Sequence, residues 1–321
     1  MRVPPAPAPS MLEVDALVSE PTTAGDARPG APTIDPMSSP LPPSLEAFTS
    51  QVLALEASDH VATLWLDRPE KRNALGPTFW ADLPVAMAAI GATSEIRAVV
   101  IAARGPHFSV GLDLVAMSEL LGGSADEPRR SRAEQARSAR NEVLRLQASV
   151  SSIAECPVPV IAALHGYCIG GGVDIAAACD IRLASADAVF SVRETKVAIV
   201  ADLGSLQRLP RIIGKGQVAE LAYTGKDITA ERARAIGLVN DVSADADAVL
   251  ADARLLAAEI AANSPIAVQG TKAVLTACED RSVADGLDYV ATWNAGHLAS
   301  DDLVEAMTAF LEKRQPRFTG R

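Results

Sequence analysis

Three acidic side chains and two glycine turns stand out in this 321-residue chain as groups able to carry a reaction. Glycines 170–172 stand in HGYCIGGGVDIAAACD, directly after the apolar run PVPVIAAL. Glycine tolerates backbone dihedrals that a side chain forbids, so the segment can turn sharply from strand to helix. It also lets a ligand approach bare N–H groups at a helix start, where the helix dipole favours developing negative charge. HFSVGLDL, residues 107–114, follows another apolar run, and its Gly111 permits a similar approach at Leu112. Two strand-end turns presenting amides can together make a two-donor oxyanion hole. A glycine turn demanded by packing alone fits the same residues. GYCIGG lacks the GxGxxG spacing of a dinucleotide-binding turn and does not follow the chain's first strand.

Asp174 lies two residues beyond the glycines, Glu194 twenty residues further on, and Asp202 eight beyond that. Asp202 is embedded in VAIVADLG, where a charge is costly unless it is paired or functional. A helix N-cap after Ala201 is the structural alternative for it. Carboxylates that a fold brings together raise one another's pKa, which suits them to holding and releasing protons. Other reactive types read as structural. Asp180 caps or bridges, His165 is a satisfied strand-end histidine, Cys168 and Cys179 sit in apolar surroundings, and Trp65, Trp80 and Trp293 are core. No serine on a helix-start turn has an evident His partner, which sets aside a serine peptidase.

The hydrophobic pattern supplies the elements on which these residues stand. VLALEASDHVATLWLD alternates apolar and polar residues around Ser58–Asp59 and predicts a hairpin. RPEKRNALGP predicts a loop and TFWADLPVAMAAIGA a helix. IRAVVIAARG and PVPVIAALHG are continuous apolar runs of the kind that form buried parallel strands. A polar helical stretch falls at roughly 126–155, GGVDIAAACD opens a short helix, and IRLASADAVFSVRE holds two strand-like pieces. From about residue 215 the pattern is helical, ending in DDLVEAMTAFLEKR before Pro316. Strands alternating with helices, then a helical end, predict an α/β fold. The expected organisation is a Pro/Ala-rich tail over 1–44, a core over 45–250 and a helical region over 251–321.

Composition narrows the function classes. The net charge of −11 repels a nucleic acid, so an anionic ligand must be met by a local cluster of Arg and Lys. No apolar run reaches the roughly 18–20 residues of a membrane span. The four cysteines show no CxxC spacing and the histidines are scattered, which argues against a metal site. Reduced thiols and a Lys-poor, Ala-rich composition point to a bacterial cytoplasmic protein. The tail lacks the apolar stretch of a secretory signal, and its acidic residues do not fit a transit peptide.

HFSVGLDL and AALHGYCIGGGVDIAAACDIRLASADAVFSVRE resemble the signature segments of the enoyl-CoA hydratase/isomerase (crotonase) superfamily, over roughly residues 50–317. The resemblance implies a crotonase-like spiral of ββα units with a C-terminal helical trimerisation region, and a homotrimer or a homohexamer of two trimers. It implies a CoA thioester as substrate with no separate cofactor. It places the oxyanion-hole amides at Leu112 and Gly171, and CoA-binding cations at Arg68, Lys71 and Lys313 on the last helix. Hydratases of the family carry a Glu after the glycine turn and another twenty residues later; here Glu194 is present, but the first position is Asp174. Asp withdraws its carboxylate by roughly 1 Å, a displacement that can cost about two orders of magnitude in rate. Asp174, Glu194 and Asp202 with SVRETKVAIVADLGSLQRLPRIIG resemble the subgroup that converts 3,5-dienoyl-CoA to 2,4-dienoyl-CoA. In that reading Glu194 removes a C2 proton, Asp202 protonates C6, and Asp174 orients or polarises the site. The alternatives are an enoyl-CoA hydratase and a silent binding protein on the same fold; the latter would lack a carboxylate or an intact glycine turn.

Overall fold

The computed structural model describes residues 42–117 and 131–321. Most of the expected tail and the first residues of the helix expected at 126–155 lie outside the described residues. The expected boundary at residue 45 falls inside the first described helix. The short helix α1 (Pro43–Glu46) opens with a proline at its first position, and Leu45 is fully buried.

β1 (Leu53–Ser58) and β2 (Val61–Leu66) form the expected antiparallel hairpin, with Leu53 opposite Leu66. Its turn lies one residue later than expected, at Asp59 and His60, both left-handed. Asp and His are among the residues that tolerate that conformation. β3 (Ala98–Ala103), β4 (Val160–Leu164), β6 (Ile181–Ser185) and β9 (Asp241–Ser243) continue the sheet in parallel, in the order β1-β2-β3-β4-β6-β9. Every residue of β3 and β4 is buried, the physical reason both read as unbroken apolar runs.

A smaller second layer contains β5 (Tyr167–Ile169), β7 (Val189–Ser191) and β8 (Ile228–Thr229). Isolated bridges extend its pattern, from Leu75 to Leu112 and from Ser109 to Cys168. After each central strand of the large sheet the chain drops into this layer: Leu75 after β2, Ser109–Leu112 after β3, β5 after β4 and β7 after β6. This repetition is the crotonase-like spiral, and it brings both glycine turns onto one layer.

Helices cover the two faces of the large sheet. On one side, α2 (Pro77–Ala92) buries Phe79, Trp80, Leu83, Met87 and Ile90. α3 (Arg132–Ala154) starts at Ser131, which forms a reciprocal capping box with Glu134. α4 (Gly171–Ala178) is buried at all eight positions. α5 (Ser205–Ile213) was hidden in the sequence by Pro210, which normally breaks a helix interior; here it stands near the C-terminal end of a nine-residue helix. α6 (Lys215–Thr224), α7 (Ala230–Ala235) and α8 (Ala246–Ala261) follow. On the opposite face, Val249, Ala253, Ala257 and Ala261 of α8 pack against Ala98, Val100, Ile161 and Leu183. The i, i+4 alanine spacing gives α8 a narrow stripe that lets its backbone approach the sheet. The division expected at 250/251 therefore falls inside a core helix, and the helical region proper begins with α9 (Pro265–Cys278) and continues as α10 (Val283–His297) and α11 (Asp301–Glu312).

A buried cation ties that region to the sheet. Lys272 Nζ on α9 lies 2.7 Å from Asp180 Oδ2 and donates to the Val158 carbonyl at 3.1 Å. The same Asp180 oxygen accepts the Val160 N–H at 2.7 Å, at the start of β4. This is the bridging role expected of Asp180. Lys272→Met strands the Asp180 carboxylate, which is one-third exposed, and should lower unfolding stability by about 2–4 kcal/mol in a denaturant titration.

Candidate active site

The two glycine turns meet edge to edge. The Leu75 N–H donates to the Gly111 carbonyl at 2.8 Å, and the Asp113 N–H to the Leu75 carbonyl at 3.0 Å. Successive peptide groups of an extended segment point to opposite edges, so the Leu112 N–H faces away from Leu75, on the edge where Ser109 pairs with β5. Gly111 has φ of 84°, and a Cβ there would lie 2.8 Å from the Ile169 carbonyl oxygen and 3.4 Å from the Gly171 nitrogen. The Gly171 N–H opens α4 and has no intrahelical acceptor. The two amides expected to form the oxyanion hole are thus brought to neighbouring places. Leu75 and Trp80 press on the same point, since a Cβ on Gly171 would meet Leu75 Cδ1 at 2.9 Å and the Trp80 ring at 3.6 Å. Trp80 is core, as expected, and its particular place in the core is beneath this amide.

Two polar residues missed in the sequence hold the turns. Ser109 Oγ accepts the Gly111 N–H at 3.1 Å and donates to the Asn73 carbonyl at 2.8 Å. Asn73, left-handed at φ 53°, donates through Nδ2 to the carbonyls of Arg104 and His107 and accepts the Arg68 N–H. An Asn inside RPEKRNALGP was the available signal, because Asn adopts this conformation at low cost.

The three carboxylates arrive from three elements. Asp174, on the first turn of α4, is 1% exposed, and its Oδ1 accepts the Ser205 N–H at 2.6 Å. Burial pushes its carboxyl up to about 7, with the Glu194 charge adding to the rise and the Ser205 bond and the Arg208 charge opposing it. Glu194 begins a 3₁₀ turn (Glu194–Val197), and its buried Oε2 has no hydrogen-bond partner among the described residues. Its Oε1 would lie 3.3 Å from a Cβ on Gly170, which has φ of 53°. Burial raises its pKa, its own backbone N–H opposes this, and the Asp202 charge raises it further. Ala198, left-handed at φ 61°, ends this turn, and the charge of Asp202, four residues further on, is felt at Glu194. Burial raises the Asp202 carboxyl as well, against a bond from its own backbone N–H. Asp202 lies three residues before the start of α5 and is not its N-cap; Gly204 is. The charge on Glu194 thus bears on Asp174, and the charge on Asp202 bears on Glu194, which links the three acids in a row. Such a row, beside two free amides, can take a proton at one point and return it at another.

The expected CoA-binding cations are placed differently from one another. Arg68 Nη1 lies 2.9 Å from Asp113 Oδ2, one residue beyond Leu112, so Arg68 braces the Gly111–Leu112 turn. The Ala116 N–H and then Arg68 hold the Asp113 carboxyl below its ordinary value. Lys71 is exposed in the same loop. Lys313 is exposed where α11 ends, in a left-handed conformation. Among the described residues no hydrogen bond or ion pair joins Lys313 to Arg68 or Lys71. His165 is satisfied by the Gly105 carbonyl at 2.9 Å, and burial pushes the Cys179 thiol up to about 12.

Asp174 generates a prediction about stability. Its pKa is higher folded than unfolded, so its contribution is fully present below the ordinary carboxylate value and is lost as pH rises to about 7. Asp174→Asn removes the buried charge and retains an acceptor for Ser205. At pH 8 the variant should be more stable than the parent, by up to about 4 kcal/mol, with the gain vanishing near pH 4 in denaturant titrations.

The pattern of the enoyl-CoA hydratase/isomerase family matches residues 56–321. The chain is 41% identical over 276 residues to the peroxisomal Delta(3,5)-Delta(2,4)-dienoyl-CoA isomerase of Arabidopsis thaliana, covering 86% of this chain and 99% of that protein. It is 44% identical over 268 residues to the mitochondrial Delta(3,5)-Delta(2,4)-dienoyl-CoA isomerase of Dictyostelium discoideum, covering 83% and 90%. Among solved structures, an enoyl-CoA hydratase from Bacillus anthracis superposes with a TM-score of 0.76 at 30% identity, over 84% of this chain and all of that one. With the spiral fold and the paired glycine turns in place, these likenesses show that the chain belongs to the enoyl-CoA hydratase/isomerase family.

Proposed function

We propose that this chain isomerises 3,5-dienoyl-CoA to 2,4-dienoyl-CoA. The observation that carries the reading is Glu194, whose unpartnered buried oxygen stands electrostatically between Asp174 and Asp202, beside the two amide turns. The thioester carbonyl accepts the N–H groups of Leu112 and Gly171, which stabilise the enolate oxygen as it forms. Glu194 takes a proton from C2, and the charge spreads along the conjugated chain to C6. Asp202, its protonated form favoured by burial, gives a proton to C6, and the two carboxyl groups regain their starting states by exchange with solvent. One proton leaves and one arrives, so the chemistry asks for no cofactor beyond the CoA of the substrate. Arg68 and Lys71, next to the oxyanion segment, are the cations proposed for the CoA phosphates, and Lys313 is proposed to join them from the last helix.

Asp174 favours this reading over hydration. A hydratase needs two carboxylates free to hold a water molecule, and here one Asp174 oxygen is committed to the Ser205 N–H. With purified enzyme and a 3,5-dienoyl-CoA, conjugation to the 2,4-dienoyl thioester is followed in the ultraviolet. Asp202→Asn should lower kcat by about two orders of magnitude or more while still exchanging C2 protons with D₂O, and Glu194→Gln should lose both activities. Wild-type isomerisation by Asp202→Asn overturns the assignment, and water addition to crotonyl-CoA faster than diene isomerisation favours the hydratase.

We also propose a homotrimer, or a homohexamer of two trimers, in the cytoplasm. The relatives named above are peroxisomal and mitochondrial, so location rests on the chain's composition. Support for assembly comes from α11, which leaves Val304, Met307, Phe310 and Leu311 each more than 60% exposed. A groove of about 1770 Å³ beside α9–α11 includes Trp293, Leu298 and Leu303. Sedimentation should give a trimer or hexamer for the full chain, and Phe310→Asp combined with Leu311→Asp should shift it toward monomer.

A further inference from the structure

Residues 199–202, which lead to and include Asp202, belong to no helix or strand. Among the described residues, no backbone-to-backbone hydrogen bond reaches residues 200–203. Side-chain bonds hold this stretch instead, and they lead to one helix. Gln147 Nε2 on α3 donates to the Asp202 carbonyl at 2.7 Å. Four residues along the same helix, Ser151 Oγ accepts from Arg208 Nη2 at 3.0 Å, and Arg208 Nη1 donates to the Leu203 carbonyl at 3.4 Å. Residues at i and i+4 share a helix face, so Gln147 and Ser151 form a two-point clamp on consecutive peptides. Gly204 makes room for the arm of that clamp: a Cβ there would fall 1.8 Å from Arg208 Nη1.

We propose that Gln147 is the positioning residue for Asp202, with the Arg208–Ser151 pair as its second anchor. The inference rests on the reading of Asp202 as the C6 proton donor. The clamp touches neither substrate nor Glu194; it fixes where the donor stands once the C2 proton has gone. Loosening it slows delivery to C6 and leaves removal from C2 in place, so the dienolate returns its proton to C2 more often.

The test compares two rates on one substrate. With 3,5-dienoyl-CoA in D₂O, ultraviolet absorbance follows isomerisation, and mass spectrometry of recovered substrate follows deuterium entry at C2. Gln147→Met keeps the length of the side chain and removes its donor. The variant should isomerise about tenfold more slowly with KM and C2 exchange within about twofold of the parent, so that the ratio of the two rates falls tenfold. Arg208→Lys keeps the positive charge and loses the forked contact, and it should move the ratio in the same direction by a smaller factor. If Gln147→Met does not assemble as the parent does, the ratio in Arg208→Lys decides. A ratio unchanged from the parent overturns the clamp, whether both rates hold or both fall together. Asp202→Asn separates the two failures: if it isomerises normally, the donor reading fails, and if it does not while the ratio in Gln147→Met is unmoved, only the clamp fails.

Discussion

The close approach of Gly111 to Ile169 and Gly171 is the contact on which the rest of this molecule depends. It holds two backbone N–H groups near each other, and among the described residues the first has no strand partner and the second no helix acceptor. Bare amides beside a buried core are tolerable only where something will use them, because an unmet polar group in such a place is costly. The spiral makes the contact possible. Each strand of the large sheet is followed by a short piece in the smaller layer, and successive pieces stack so that the turn after β3 lies against the turn after β4. Leu75, Trp80, Ser109 and Asn73 press or tie the pair into register.

Around that contact the electrostatics are one-sided. Three carboxylates gather in a region where burial is the largest influence on each, and in every case it favours the protonated form. Arg208 is the cation that bears on Asp174, and it acts weakly beside burial and the charge on Glu194. A fully charged row would be unstable here, while a row sharing protons is not. The burial that makes the site costly to fold is therefore also what raises each carboxyl above its ordinary value. Asp174 has one oxygen held by the Ser205 N–H, and Glu194 keeps a buried oxygen with no partner among the described residues.

Support for the row comes from elements far away in the chain. α8 seals the opposite face of the sheet with small side chains, and Lys272 pins the C-terminal helices to the start of β4 through Asp180. α3 reaches across to the irregular stretch before Gly204, a polar helix whose Gln147 and Ser151 serve the site without entering it.

Much of this was legible in the residues themselves. Alternation gives a hairpin, unbroken apolar runs give buried parallel strands, and 3.6-residue periodicity gives the C-terminal helices, because each pattern reflects which faces of an element meet water. The glycine turns and the three acids were equally visible, since their types and their spacing from the buried strands are local properties. Other features depended on contacts between segments far apart in sequence. The helix at Ser205–Ile213 survives Pro210 because Leu209 and Ile213 are buried in the core, a gain that propensity does not contain. Arg68 reads as a free cation until folding places it on Asp113, 45 residues away. Gln147 carries no motif, and its importance arises only when α3 is laid against Asp202, 55 residues distant. Residue types and their order establish which groups can do chemistry and which elements carry them, because both are local properties. Long-range packing selects which of those groups are buried together, and so which acid is held by Ser205.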